Sequence, residues 1–339
     1  MDRIVPPAIF DCHAHYFPES LMAPLRRAVA GKEYGPNLQS STWDHMDEQV
    51  AQLDACGVAC SAMTYSAFLE MAIDAAGLSR SEGVRIANDA MAEAQARYPG
   101  RLVGAAAFDP EGGKGGLAEL RRALDSLGMR IIHMMTSYDG LYPDDPRFWP
   151  VYEMAAEYNV PVFVHPFASP ANWEKLMYRS AQGPLLLRGQ VGMLLDTTLC
   201  IGRLVQSGVF DRFPKAKFLF CQLGGFIPFL AGRFDSAYLM HRYYVEQGKI
   251  PASAPVPARL RDYFGHFWVD IHAVDGAAIA CAVRQVGIDR VVMGTDAPYR
   301  PLEMGVRLAV EALAESGLTA EEQRRILCDN GRALLGVEP

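Results

Sequence analysis

Near the N-terminus the chain reads Phe10-Asp11-Cys12-His13-Ala14-His15. On a β-strand the side chains alternate between faces, so His13 and His15 point the same way while Cys12 and Ala14 point the other. Two imidazoles side by side make half a metal site, and distant partners must supply the rest. Candidates recur where other β-type runs end. His165 follows Pro161-Val162-Phe163-Val164, His272 closes a run that begins at Phe267, and Asp296 stands in Gly294-Thr295-Asp296-Ala297-Pro298. Three imidazoles and a carboxylate are suitable ligands for Zn²⁺ or a similar divalent ion, with room left for a water or a substrate oxygen. Taken singly, His165 reads equally well as a satisfied strand-end histidine, and Asp296 as a cap or turn residue. Their shared placement at strand ends makes a metal centre the leading reading.

Strand ends converge only if the strands share one open face. Short apolar or β-branched runs at about 8–13, 58–65, 102–107, 129–134, 161–165, 216–222, 267–272 and 290–294 alternate with helical patterns. Helices are expected at about 21–30, 44–55, 82–97, 114–126, 148–158, 191–207, 227–243, 277–286, 302–316 and 320–335. Such alternation signals a parallel sheet with helical crossovers. The expected fold is therefore one (β/α)₈ TIM barrel over residues 1–339 with long βα loops, at 18–41 and 166–188 among others. No Gly-x-Gly-x-x-Gly turn follows a strand, which removes the main support for a dinucleotide-binding sheet.

Composition narrows the function classes. Half of the 339 residues are hydrophobic, and a fifth are charged, giving a net charge of −7 with no basic block. The electrostatic footprint of a nucleic-acid binder is missing. No apolar run reaches the roughly 18 residues of a spanning helix, and Met1 to Pro7 lacks the apolar core of a signal peptide. A cytoplasmic protein without membrane partners is expected. Seven cysteines, an odd number with no Cys-x-x-Cys pair, fit reduced, buried thiols better than disulfides.

Several segments together resemble the amidohydrolase superfamily, in its amidohydrolase-2 branch, whose members are similar to aminocarboxymuconate semialdehyde decarboxylase. They are Asp11-Cys12-His13-Ala14-His15, Asn88-Asp89, Pro161 to Pro166, Gly224-Gly225-Phe226-Ile227-Pro228 with the following Phe229 to Asp235, and Met293 to Pro298. The resemblance implies His13, His15, His165 and Asp296 as ligands of one divalent metal, with Zn²⁺ first and Mn²⁺ or Fe²⁺ as alternatives. His133 occupies the region where some other amidohydrolases carry a carboxylated bridging lysine, which favours a single ion. The resemblance also implies a homodimer, and Arg233 as a carboxylate-binding residue that reaches into the neighbouring subunit in some members. A guanidinium suits that task because its planar fork makes two hydrogen bonds and stays charged. Trp173, Tyr178, Phe226 and Tyr299 could line a pocket for an aromatic ligand.

One departure bears on mechanism. Members of the branch usually carry a histidine just ahead of the Gly-Gly-x-x-Pro segment, and here Gln222 stands there. Glutamine hydrogen-bonds but exchanges no proton near neutral pH, so general-base catalysis leaves that position. His272 or Asp296 would have to carry the proton. The resemblance then implies a metal-dependent carboxy-lyase acting on a small aromatic or unsaturated carboxylic acid, a route that needs no activated water. Two alternatives stand beside it: a hydrolase or hydratase of a lactone, amide or enoic acid with His272 as base, and a silent homologue that binds metal and carboxylates without turnover.

Overall fold

Runs rich in valine, isoleucine and phenylalanine build eight strands, because β-branched and aromatic side chains pack well on a pleated, buried surface. The computed structural model of the protein describes residues 8–32, 35–138, 140–166, 188–253 and 256–338. Its strands are β1 (Ile9–His15), β2 (Val58–Thr64), β3 (Leu102–Ala106), β4 (Ile131–Met135), β5 (Val162–His165), β6 (Phe218–Phe220), β7 (Phe267–Asp270) and β8 (Val291–Val292). They are hydrogen-bonded in sequence order, and every neighbouring pair is parallel. Past the end of β8 the chain returns to β1: Cys12 N donates to Met293 O, Asp296 N to His13 O and His15 N to Ala297 O. The sheet is the expected (β/α)₈ barrel.

The surrounding helices are α1 (Glu19–Ala28), α2 (Met46–Ala55), α3 (Leu69–Ala75), α4 (Arg80–Arg97), α5 (Gly113–Asp125), α6 (Trp149–Glu157), α7 (Met193–Gln206), α8 (Val209–Arg212), α9 (Ile227–Glu246), α10 (Gly276–Val286), α11 (Leu302–Glu315), α12 (Ala320–Arg324) and α13 (Asn330–Leu335). Two apolar layers hold them. One joins helices to strands, with Trp43, Tyr152, Phe148 and Phe218 fully buried, and the other gathers Phe10, Ala62, Ala105, Ile131, Phe163, Leu219 and Val292. Each fully buried Phe, Ile, Leu or Val among them contributes about 1.5–3 kcal/mol.

Four details differ from the expected elements, one being the four-residue helix α8, which falls between the helices expected at 191–207 and 227–243. The helix α3 occupies a stretch expected to be irregular; its seven residues bury only Leu69, Ala72 and Ile73, too few to show a period. The single helix expected at 320–335 is interrupted by a wider π-type turn, Arg325–Asp329, and there Ile326 O accepts from Met293 N just past the end of β8. Finally, β1 shifts register between Asp11 and Ala14, so Cys12 does not join Ala14 in the outer layer and packs with the inner cluster instead. Among the described residues no helix is long and apolar enough to cross a membrane.

Candidate metal centre

The C-terminal ends of β1 and β5 and the loop after β8 bring His13, His15, His165 and Asp296 together, each offering one ligand atom within 4.8 Å of the others, and all are buried. Their tautomers follow from their partners. Asp270 Oδ2 can only accept, so His13 Nδ1–H donates to it at 2.8 Å. Thr64 gives its hydroxyl proton to Ala14 O at 3.0 Å, so its oxygen accepts from His15 Nδ1–H at 3.1 Å. His165 Nδ1–H donates to the carbonyl of Pro166 at 2.9 Å. All three rings therefore keep a bare lone pair on Nε2.

Those lone pairs meet a carboxylate. His15 Nε2 lies 2.9 Å and His13 Nε2 3.5 Å from Asp296 Oδ1, acceptor against acceptor, and His13 Nε2 is buried without a hydrogen-bond partner. Only a shared cation or extra protons relieve such an arrangement, and three imidazoles with one carboxylate fit a divalent ion of the first transition row. A second grouping, His13, Cys221 and Asp270, coincides with the hydrogen-bonded His13–Asp270 contact and supports the same centre from behind.

The backbone that aims these groups is itself tied down. Asp11, beneath His13, accepts from the main-chain N–H groups of His13 and Thr295 and from the hydroxyls of Thr295 and Ser61. Burial raises its pKa to about 6 against those bonds. Gln49 Nε2 donates to His15 O at 2.9 Å, and the Trp43 ring stacks on His15 at an interplanar angle of 3°. Asp296 sits in the left-handed region, φ 62°, which aspartate tolerates better than most residues. Asn88, on α4, bonds both N–H and C=O of Ala107 and so fixes the end of β3.

His272 and Gln222 stand beside this group. His272 Nε2 is 3.2 Å from Asp296 Oδ2, and burial lowers its pKa to about 4 despite the pull of Asp296. Burial works against the charge of Asp296 too, but with no cation bound, protons on the facing imidazoles of His272, His13 and His15 outweigh it and hold the carboxyl well below its ordinary range. Gln222 donates its main-chain N–H to Asp270 Oδ1 at 2.8 Å, and its side-chain Oε1 is buried without a partner. The turn that follows requires glycine: Gly225 has φ 68°, and a Cβ there would lie 2.2 Å from Leu194 O.

A cavity of about 760 Å³ opens on Gln222, His272 and Asp296, with Asn37, Tyr299 and Arg300 along its wall. Phe226 is half-buried at the start of α9 and does not line the cavity. Arg233 is exposed on α9, away from the cavity of its own chain, and the neighbouring Asp235 pairs with Arg261 at 2.8 Å. Trp173 and Tyr178 lie outside the described residues. Sequence reasoning passed over Asp270, Thr64 and Arg300. Asp270 alone carried a signal, since it shares the alternation that brings His272 to the site.

Comparison with known proteins places this geometry. The chain is 29% identical over 253 residues to the 2-amino-3-carboxymuconate-6-semialdehyde decarboxylase of Dictyostelium discoideum, covering 74% of this chain and 66% of that one. It is 26% identical over 302 residues to the gamma-resorcylate decarboxylase of Polaromonas sp., covering 85% and 87%. In fold it superposes on the crystal structure of a dihydroxybenzoic acid decarboxylase from Polaromonas sp., solved with manganese and the inhibitor 2-nitroresorcinol, with a TM-score of 0.76 at 22% identity over 97% of both chains. The profile of the amidohydrolase family matches residues 10–337, and the chain belongs to that family.

Proposed function

We propose that this protein is a metal-dependent decarboxylase of a small aromatic or unsaturated carboxylic acid. The observation that carries the reading is the four-ligand group with its bare Nε2 lone pairs, opening on a cavity that pairs a cation, Arg300, with an aromatic face, Tyr299. Curated relatives named as decarboxylases of aminocarboxymuconate semialdehyde and gamma-resorcylate support it.

His13, His15, His165 and Asp296 would hold one divalent ion. Zn²⁺ suits the donor set, and the manganese in the Polaromonas structure supports Mn²⁺ as the alternative. A bound ion supplies Lewis acidity toward the substrate's oxygens. The residues do the rest. Arg300 engages the substrate carboxylate, Tyr299 packs on the ring, and Gln222 offers its unpartnered amide oxygen to a substrate hydroxyl. The Asp296–His272 pair relays one proton from solvent to the ring carbon, and the bond to the departing carboxylate supplies the electron pair that receives it. One C–C bond breaks, one C–H bond forms, and CO₂ leaves. No step requires Gln222 to exchange a proton.

We also propose a homodimer in a reducing compartment such as the cytoplasm. Phe229 is 83% exposed on α9, with Leu239, Met240 and Tyr243 exposed further along the helix, an apolar surface that supports burial against a second copy. Arg233 shares that helix, and in the dimer it serves the partner's cavity. All seven cysteines are free thiols.

The test is release of CO₂ from ortho-hydroxybenzoates and muconate-like acids by protein loaded with Zn²⁺ or Mn²⁺. Turnover with CO₂ supports the proposal. Conversion of a lactone, amide or enoic acid without CO₂ overturns it in favour of hydrolysis or hydration through His272.

A further inference from the structure

The end of the barrel opposite the ligand group gathers positive charge. Lys217 stands immediately before β6, His266 before β7 and Arg290 before β8. The strands are parallel, so these residues share the N-terminal face, while Gln222, His272 and Asp296 follow the other ends of the same three strands. With Lys215, Trp268 and Asn159 they line a cavity of about 450 Å³, and no carboxylate residue is part of its wall.

Arg290 is held in place by packing. Its guanidinium carbon lies 3.9 Å from the centre of the Trp268 ring, and Trp268 packs in turn on the inner apolar cluster of the barrel. Its Nη1 is buried and has no hydrogen-bond partner. Lys217 is half-buried close by; burial and the charge of Arg290 both lower the pKa of its ammonium, and burial lowers that of Arg290. Among the described residues neither cation makes an ion pair. The acids nearest in sequence are engaged elsewhere, Asp289 with Arg325 and Glu157 with Arg121.

Two like charges, both partly withdrawn from water, cost free energy unless an anion joins them. The chain has a net charge of −7, yet it places no acid here. A dianionic oxyanion balances both charges at once and gives acceptors to the guanidinium fork and the ammonium together. A single carboxylate would leave one charge over. The volume lies within the range of roughly 300–1,000 Å³ that small-molecule sites occupy.

We propose that this recess binds a phosphoryl dianion, with Arg290 and Lys217 as its counter-charges. The site lies at the far end of the barrel from the metal ligands and does not depend on the reaction proposed there.

The experiment titrates metal-loaded protein by calorimetry with inorganic phosphate and with phenyl phosphate, at constant ionic strength set with chloride. Saturable binding of both is expected. Tighter binding of phenyl phosphate assigns the site to a phosphorylated organic molecule, and equal affinity assigns it to free phosphate. Arg290→Gln and Lys217→Gln should each weaken binding at least about tenfold, the worth of one hydrogen bond to a charged group. Arg300→Gln, at the opposite end, should leave it unchanged. Arg290→Gln also loses the stacking on Trp268, so Lys217→Gln is the variant that keeps the test open if the other folds poorly. It removes one of two like charges and should melt no lower than wild type without ligand. Absence of saturable binding, or affinity that both N-terminal-face variants retain, overturns the site and leaves the decarboxylase reading standing. Loss of phosphate binding in Arg300→Gln alone would also overturn it, by moving the anion to the mouth.

Discussion

His13 and Asp270, 257 positions apart in the chain, are joined by a 2.8 Å bond from Nδ1–H to Oδ2 in the barrel interior. The bond fixes the tautomer of His13 and turns its Nε2 toward His15, His165 and Asp296. It also makes Asp270 the hub of the site, because its second oxygen accepts from the main-chain N–H groups of Gln222 and His272. A carboxylate behind a metal-bound imidazole both orients the ring and raises its basicity.

Asp270→Asn should therefore weaken metal binding without touching a ligand. The amide can still accept on one side, but it no longer supplies charge to His13. The expected loss of metal affinity is about 10- to 100-fold, as for other outer partners of metal-bound histidines. Competition against a chelator of known affinity measures it. An unchanged affinity would mean that the bond to His13 is only structural.

The outline of this site was legible in the chain, and its support was not. His13, His15 and His165 could be read because they lie at the ends of recognisable strands and Asp296 because it closely follows one, and a barrel gathers strand ends by construction. Asp270 and Thr64 fix tautomers through contacts between strands. Which residue faces which across a barrel depends on register, and β1 itself shifts register between Asp11 and Ala14. Arg233 was singled out on a motif alone, while Arg300, only four residues beyond Asp296, lines the cavity. The eight strands and most helices were readable from period and punctuation. The exceptions were α3 and α8, too short for a pattern, and the π-type turn at Arg325–Asp329, which an otherwise helical sequence conceals.

Thr64 gives a second test of the same logic on a different ligand. Its hydroxyl accepts from His15 Nδ1 and donates to Ala14 O, so Thr64→Val removes one partner from each of two buried groups. Each orphaned group costs about 1–3 kcal/mol. The expected result is a lower melting temperature together with weaker metal binding. Thr64→Ser, which keeps the hydroxyl, should restore metal binding, and failure of that rescue would assign the effect to lost packing.

Gly294, two residues past β8, packs against both residues of the opening pair. A Cβ at this position would come within 2.9 Å of Asp270 Cβ and 3.0 Å of His13 Cβ. Gly294→Ala must push them apart, and overpacking of this kind costs about 1–3 kcal/mol. Because the displaced atoms belong to the ligand support, the loss of metal affinity should exceed that of an equally destabilising substitution in the outer layer, such as Val151→Ala. Equal affinities in the two variants, measured by chelator competition at matched stability, would show that the ligand group tolerates movement of its support.

Arg300 separates ligand binding from metal binding. It lines the cavity beside His272 and Asp296, and its main-chain N–H donates to Asp296 O at 3.2 Å, so the side chain can be changed while the backbone tie is kept. A hydrogen bond to a charged group is worth about 1.5–3 kcal/mol, which corresponds to at least a tenfold change in an equilibrium constant. Arg300→Gln should then raise KM for the carboxylate substrate by about that factor and leave the bound metal stoichiometric by elemental analysis. Arg300→Lys should recover only part of the loss, because an ammonium keeps the charge without the planar fork. A fall in kcat with KM unchanged would place Arg300 against the transition state and move the carboxylate-binding role to Arg233 of a second copy.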